Sequence, residues 1–291
     1  MALDSFTGEL VTELANAGVP SLVLKGPAVA RLLYQTGGLR FHDDVDLLVR
    51  QDDLPEIRRV LRRRGFDHAA EADSGEVWAR ADDGIVVDLH TSLVGIAASA
   101  ENAWDVLSRQ QSELVLGSAV TRTLTPAGIA LHVALHAAQH GVGTGRSLSD
   151  LDRALATFDR QTWTAAASLA RELEAAGAMA IGLRLLPQGA SLAAELDLPD
   201  DRSTVLALRA ATAPLTAIGF YRLFRTPGLR AKGALLRHEL FPKPAFMRQM
   251  YAVARRGRVG LLAAYAWRPV WLLVHAGPAL VALRRARRTG R

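Results

Sequence analysis

The chain of 291 residues carries 35 Lys/Arg, 29 Asp/Glu and no cysteine, enough length for the core of one or two domains. The absence of cysteine excludes disulfides, zinc–thiolate sites and a cysteine nucleophile, and accords with a cytoplasmic protein. The net charge of +6 is uneven: residues 221–291 hold 16 Lys/Arg against the single acidic Glu239, whereas residues 1–220 hold 19 Lys/Arg against 28 Asp/Glu, so the basic pI belongs to the tail.

The first residues, Met1-Ala2-Leu3-Asp4-Ser5, contain acidic side chains and no apolar signal core, so no secretory leader is expected. Leu3 to Ala17 reads as an amphipathic helix stopped at Gly18. Ser21-Leu22-Val23-Leu24 is a short apolar run and reads as a buried strand. Lys25-Gly26-Pro27 follows, then a helix over 28–35 with Pro27 at its first position, a Gly37-Gly38 turn and Arg40. A glycine at a strand-to-helix turn lets a phosphate approach the backbone, and the helix N-terminus favours an anion there. Lys25 and Arg40 add positive charge nearby.

The next segment, His42-Asp43-Asp44-Val45-Asp46-Leu47-Leu48-Val49-Arg50, predicts a strand over 44–50. Side chains alternate along a strand, so Asp44 and Asp46 share one face and Val45 and Leu47 the other. Two carboxylates on one face repel each other unless a cation lies between them. Oxygen donors suit Mg²⁺ or Mn²⁺. Asp43 reads as the entry to the strand. Leu54–Arg64 predicts a helix, capped by Asp52 or Asp53 and stopped by Gly65, with Arg58, Arg59, Arg62, Arg63 and Arg64 on a solvated face. Residues 76–80 and 85–90 predict a hairpin turning at Asp82-Asp83-Gly84. It places Asp88 near a strand end, with His90 on the same face as a candidate substrate, metal or supporting contact. Three aspartates on two strands are a candidate metal site for phosphoryl or nucleotidyl transfer. Asn102–Arg109 reads as helical and Glu113–Leu116 as a short strand.

From Thr125-Pro126 onward the pattern is helical. Thr125 caps a helix over Ala127–His140, in which His132, His136 and His140 form one stripe. No carboxylate or cysteine nearby completes a zinc set, so packing, or contact with a nucleotide or acceptor, is expected of the stripe. Gly141-Val142-Gly143-Thr144-Gly145 reads as a flexible turn, because no preceding strand or following Lys-Ser/Thr supports a phosphate loop. Further helices are expected over 148–158, 161–176, 178–186 and 203–222. In the tail, Arg268-Pro269 and Gly277-Pro278 interrupt an apolar stretch whose longest uncharged run, Pro269–Leu283, has 15 residues. A spanning helix needs about 20, so none is expected. Three readings of the tail stay open: helices docked on the helical region with a free arginine end, interfacial helices on an anionic membrane surface, and a basic surface for RNA or an acidic partner.

The constellation Val23-Leu24-Lys25-Gly26, Arg40-Phe41-His42-Asp43-Asp44-Val45-Asp46-Leu47-Leu48-Val49 and Val87-Asp88-Leu89-His90 resembles the uncharacterised nucleotidyltransferase family of the DNA polymerase beta superfamily. Better-known members of that superfamily carry Gly-Ser at the turn where Lys25-Gly26 stands, which is similar to this branch's own pattern. The resemblance covers roughly residues 5–160. The elements read as an α+β fold: a small mixed sheet in residues 1–122, consistent with that family's fold, then an all-helical region over 123–250 and a basic, apolar tail over 251–291. The resemblance implies two-metal transfer of a nucleoside monophosphate from ATP or another NTP to a hydroxyl acceptor: a small molecule, a peptide or an RNA. Asp44, Asp46 and Asp88 would be catalytic and would hold Mg²⁺ or Mn²⁺; Lys25, Gly26, Arg40 and His90 would contact the nucleotide. The departure from Gly-Ser keeps open a catalytically degenerate nucleotide-binding protein, and the tail a membrane-surface adaptor.

Overall fold

The computed structural model describes residues 2–34, 40, 42–72, 74–143, 145–199, 208, 215–242 and 244–289. The predicted Gly37-Gly38 turn, Phe41, Thr144 and most of the first half of the helix expected over 203–222 lie outside the described residues. Contacts group the chain into two compact units, 1–200 and 201–291, whereas the sequence suggests divisions at 122 and 250.

The first unit opens with α1 (Ala2–Asn16), β1 (Ser21–Val23), α2 (Gly26–Leu33), β2 (Asp44–Val49) and α3 (Leu54–Arg63). It continues with β3 (Asp67–Ala72), β4 (Gly75–Ala79), β5 (Val86–His90), α4 (Ala100–Arg109), β6 (Gln111–Leu116) and β7 (Ala119–Leu124). Five helices complete it: α5 (Pro126–His140), α6 (Gly145–Thr157), α7 (Arg160–Glu172), α8 (Ala176–Leu183) and α9 (Pro187–Glu195). The strands make one mixed sheet in the order β3-β4-β5-β2-β1-β7-β6, which is the expected α+β architecture. β2 lies inside it, antiparallel to β1 and parallel to β5. A central strand needs apolar residues on both faces, and Val45, Leu47, Leu48 and Val49 are all buried.

Two strands escape the sequence reading. β3 is polar and alanine-rich, and is held by its antiparallel register with β4 across a shift between His68 and Ala70. β7 alternates instead: Thr121 and Thr123 face inward and Arg122 outward. The Gly117-Ser118 hairpin returns it along β6, with Gly117 at φ +60° as a tight turn requires. Thr123 then donates its hydroxyl to the Val23 carbonyl at 2.7 Å and joins β7 to β1.

Two further expectations change. Asp53 sits where a cap is expected, but its side chain accepts no cap bond, because Gln51–Asp53 run as a 3₁₀ turn directly into α3. The arginines of α3 are not simply a solvated face. Arg58 pairs with buried Glu76, which also accepts from the Trp78 indole at 3.1 Å. The Arg62 guanidinium lies over the Trp78 ring, and Arg64 pairs with Glu13 at 2.5 Å. Arg59, Arg62 and Arg63 nonetheless keep exposed positions. These contacts fasten α3 to the hairpin and to α1.

α5 is the central helix of the all-helical part, with Thr125 capping it through the Gly128 amide as expected. α7 and α8 pack against it. α8 approaches so closely at Gly182 that a Cβ there would stand 1.9 Å from the Ala134 carbonyl oxygen.

The second unit contains α10 (Leu215–Arg225), α11 (Leu229–Leu240), α12 (Pro244–Met250) and α13 (Gly257–Thr289). The tail is not interrupted as expected: α13 is one helix of 33 residues, with Pro269 and Pro278 inside it. Arg268, the charge that seemed to break the apolar run, is buried, and its guanidinium donates to the Glu239 carbonyl and reaches the Glu239 carboxylate. By length and composition alone, Gly257–Arg285 is long and apolar enough to cross a membrane.

Gly182→Ala is expected to lower stability by about 1–3 kcal/mol, because the added methyl must push α8 off α5. Urea unfolding of the two proteins checks it; equal midpoints would contradict the close approach.

Candidate active site

Register brings the acidic residues together. In the parallel β2–β5 pair Asp46 stands opposite Asp88, Asp44 opposite Val86 and Leu48 opposite His90. Asp44, Asp46, Asp88 and His90 therefore share one face of the sheet, as the alternation predicts. They line an open cleft of about 490 Å³, together with Lys25, Gly26 and Arg40. All seven predicted site residues thus meet in one place.

Their roles in the structure differ. Lys25 follows β1 with φ +38° and ψ −128°, a strained backbone for a residue with a side chain. That turn directs its ammonium to Asp46 Oδ1 at 2.6 Å, and His90 Nε2 reaches the same oxygen at 2.8 Å. Burial opposes ionisation of Asp46, but the hydrogen bond from His90 and the charge of Lys25 outweigh it and hold the carboxyl far below its usual range. Burial pushes Asp44 and Asp88 the other way, and the Asp46 charge adds to both shifts. Gly26 opens α2, and a Cβ there would meet the His42 ring at 3.2 Å. His42 in turn bonds Asp4 at 2.9 Å.

The donor set fits a divalent cation. One ligand atom each from Asp46, Asp88 and His90 lie within 4.8 Å of one another. Asp46 Oδ2 and Asp88 Oδ1 are buried without a hydrogen-bond partner among the described residues, a costly state for carboxylate oxygens unless a cation satisfies them. Asp44 lines the same cleft but stands outside this group of three.

Arg40 is held by an interaction that no local motif announces. Its Nε lies 3.0 and 3.1 Å from the two Asp150 oxygens, and Nη2 donates to Oδ2 at 2.9 Å. Nη1 reaches the Gly26 carbonyl at 3.4 Å. Both side chains are almost fully buried. Tyr34 donates its hydroxyl to Asp150 Oδ1 at 2.7 Å, and burial followed by the Asp150 contact pushes its pKa up to about 12. Asp150 on α6 is 110 residues from Arg40, so spacing offers no signal for the pair.

α5 supplies a further wall of the cleft. His132, His136 and His140 all line it, with ring centroids 6.4 and 4.5 Å apart in succession. Burial lowers His132 well below its usual value, and burial with the neighbouring His140 brings His136 to about 3, so both are neutral. None of the three joins the group of candidate metal donors found among the described residues. Arg146 and Gln139 also line the cleft and were not singled out from sequence.

The family model described as an uncharacterised nucleotidyltransferase matches residues 2–188, and the chain belongs to that family. Three solved structures are similar to it in fold. One is the solution structure of the antibiotic-resistance factor ANT(2'')-Ia, at 14% identity and TM-score 0.46, covering 60% of this chain and 94% of that one. Another is an antigenic nucleotidyltransferase-like protein from Paracoccidioides brasiliensis, at 16% identity and TM-score 0.39, covering 60% and 92%. The third is the lincosamide antibiotic adenylyltransferase LnuA bound to lincomycin, at 14% identity and TM-score 0.38, covering 54% and 98%. No curated protein matches the sequence.

Asp150→Ala leaves the Arg40 guanidinium buried and unpaired, and is expected to cost about 3–5 kcal/mol of stability. The double change Arg40→Leu/Asp150→Ala is expected to cost less than Asp150→Ala alone. Denaturant titration of the three proteins checks this; a double variant less stable than Asp150→Ala would contradict the ion pair as the source of the loss.

Proposed function

We propose that this protein transfers a nucleoside monophosphate from an NTP to an acceptor hydroxyl. The observation that carries the reading is the Asp46–Asp88 pair, aligned by strand register, with a buried oxygen on each that has no partner among the described residues, beside the Lys25-Gly26 turn. Family membership supports the same reaction class. In the balanced reaction the acceptor oxygen bonds to the α-phosphorus. The bond from that phosphorus to its bridging oxygen breaks, and pyrophosphate leaves. The hydroxyl proton passes to a carboxylate and then to solvent.

Asp46 and Asp88 would hold a divalent ion, Mg²⁺ or Mn²⁺, with His90 and Asp44 beside them. When bound, such an ion neutralises phosphate charge and lowers the pKa of a nearby hydroxyl. Asp88, on the cleft face of β5 beside Asp46, is the group to take the proton from the acceptor. Lys25 and the first amides of α2 would orient the triphosphate, since that helix N-terminus faces the cleft at Gly26. Arg40 would act as a positioning residue, holding the Gly26 turn against α6 through Asp150. The cleft has the size of small-molecule sites, which favours a small acceptor or a side-chain hydroxyl.

One observation favours a second reading, a nucleotide-binding protein without transfer. The Lys25 ammonium already neutralises Asp46 at 2.6 Å and would compete with a metal ion for that oxygen.

The test is release of pyrophosphate from α-labelled NTPs with Mg²⁺ or Mn²⁺ across a panel of hydroxyl acceptors. Asp88→Asn is expected to lower turnover at least about a hundredfold and to weaken metal-dependent NTP binding by no more than the worth of one charge-assisted contact, about tenfold to a hundredfold, because Asp46 remains to hold the ion. Near-wild-type turnover in Asp88→Asn would remove Asp88 from the mechanism. Tight, metal-dependent NTP binding with no pyrophosphate release would favour the second reading.

A further inference from the structure

The second unit leaves a large hydrophobic surface open. Among the described residues, Val115 and Val120 are the only large hydrophobic side chains exposed in the first unit; all the others lie between Phe224 and Val281. Seven of them stand on α13. Val259 and Val281 mark the ends of the run, and Leu262, Trp267, Val270, Leu273 and Val274 lie between, each 45% to 80% exposed. At about 3.6 residues per turn all seven fall within one stripe about 140° wide and about 33 Å long. The opposite side of the same helix is packed: Ala264 against Met247 and Ala254, and Ala279 and Leu283 against Leu208 and Ala217. Arg268, the one Lys, Arg, Asp or Glu between Val259 and Leu283, is buried on that packed side and reaches Glu239. The open stripe therefore carries no charge along its length, and exposed Arg258 and Arg284 close its two ends.

An uncharged apolar stripe of this length facing water is a docking surface, and charge selects the partner. Residues 221–291 hold 16 Lys/Arg against one Glu, so a second copy would set two strongly basic surfaces face to face. A nucleic acid would meet the arginines at the ends but nothing along the stripe. A bilayer with anionic headgroups meets both: acyl chains cover the stripe, and headgroups take the arginines. Trp267, at the edge of the stripe, has the side chain that favours the boundary between the two.

We infer that the second unit docks through this face of α13 on an anionic lipid surface, with the helix lying in the plane of the interface. A spanning orientation would carry Arg268 and the helices packed beside it into hydrocarbon, which is costly for the charge. This docking does not depend on the nucleotidyl reading.

The test is co-sedimentation of the full chain with phosphatidylcholine vesicles, with and without phosphatidylserine, at low and high salt. Wild type, Leu273→Glu/Val274→Glu and Val120→Glu are compared, with melting temperature measured for each. Wild type is expected to sediment with phosphatidylserine vesicles, and to bind at least about tenfold more weakly without that lipid or at high salt. Leu273→Glu/Val274→Glu is expected to lose at least about a hundredfold in binding at unchanged melting temperature, since two positions that acyl chains would cover become anionic. Val120→Glu, the same kind of change on an exposed valine of the first unit, should bind as wild type does. Wild type that binds no vesicle would overturn the inference, as would binding that survives in Leu273→Glu/Val274→Glu or an equal loss in Val120→Glu. A dimer in solution abolished by the double change, without vesicle binding, would assign the face to a second copy instead. Bound protein that alkaline carbonate fails to release would overturn the surface mode in favour of a spanning helix.

Discussion

The structure turns on one electrostatic demand: Asp46, ionised and 3% exposed, sits opposite Asp88 on adjoining parallel strands. Such a pair is unfavourable in a low-dielectric interior, and the cost must be met by cations close at hand. Lys25 accepts a strained backbone to deliver its ammonium, and His90 approaches from the strand that carries Asp88. Even so, two carboxylate oxygens remain without a partner among the described residues, and Asp44 and Asp88 are held toward their protonated forms. A carboxylate cluster that its own protein leaves under-neutralised is what a divalent cation and a polyphosphate together would complete.

The surrounding fold serves to keep that cluster in place. β2 is clamped on both sides by β1 and β5 and carries apolar residues on both faces, which fixes where Asp46 meets the cleft. The Arg40–Asp150–Tyr34 cluster joins the end of α2 to α6, and Arg40 also reaches the Gly26 carbonyl at the turn that would receive phosphate. α5 then closes a wall of the cleft, where burial keeps His132 and His136 neutral.

Much of this was legible in the amino-acid order because it depends on short periods. The two-residue repeat of a strand put Asp44 with Asp46 and Asp88 with His90. Pro27, Thr125 and Gly65 marked helix ends by fixed local geometry. The convergence of Lys25, Gly26, Arg40, His90 and the three aspartates in one cleft follows from the same patterns and from the family resemblance. What stayed hidden depends on distance in the chain. Nothing local says that Arg40 meets Asp150. β3 was missed because its alanines and polar residues carry little strand propensity and it exists through pairing with β4. In the tail, the charge of Arg268 suggests a break in the apolar run, but Glu239 in the same unit meets that charge, and the helix is continuous with both prolines inside it.

The central claim is that Asp46 and Asp88 form a metal-dependent nucleotide site, and calorimetric titration of an NTP with and without Mn²⁺ tests it most directly. Wild type should bind the NTP tightly only when Mn²⁺ is present, and Asp46→Asn/Asp88→Asn should lose that dependence along with the binding. NTP binding that is indifferent to Mn²⁺, or that survives intact in the double variant, would contradict the account.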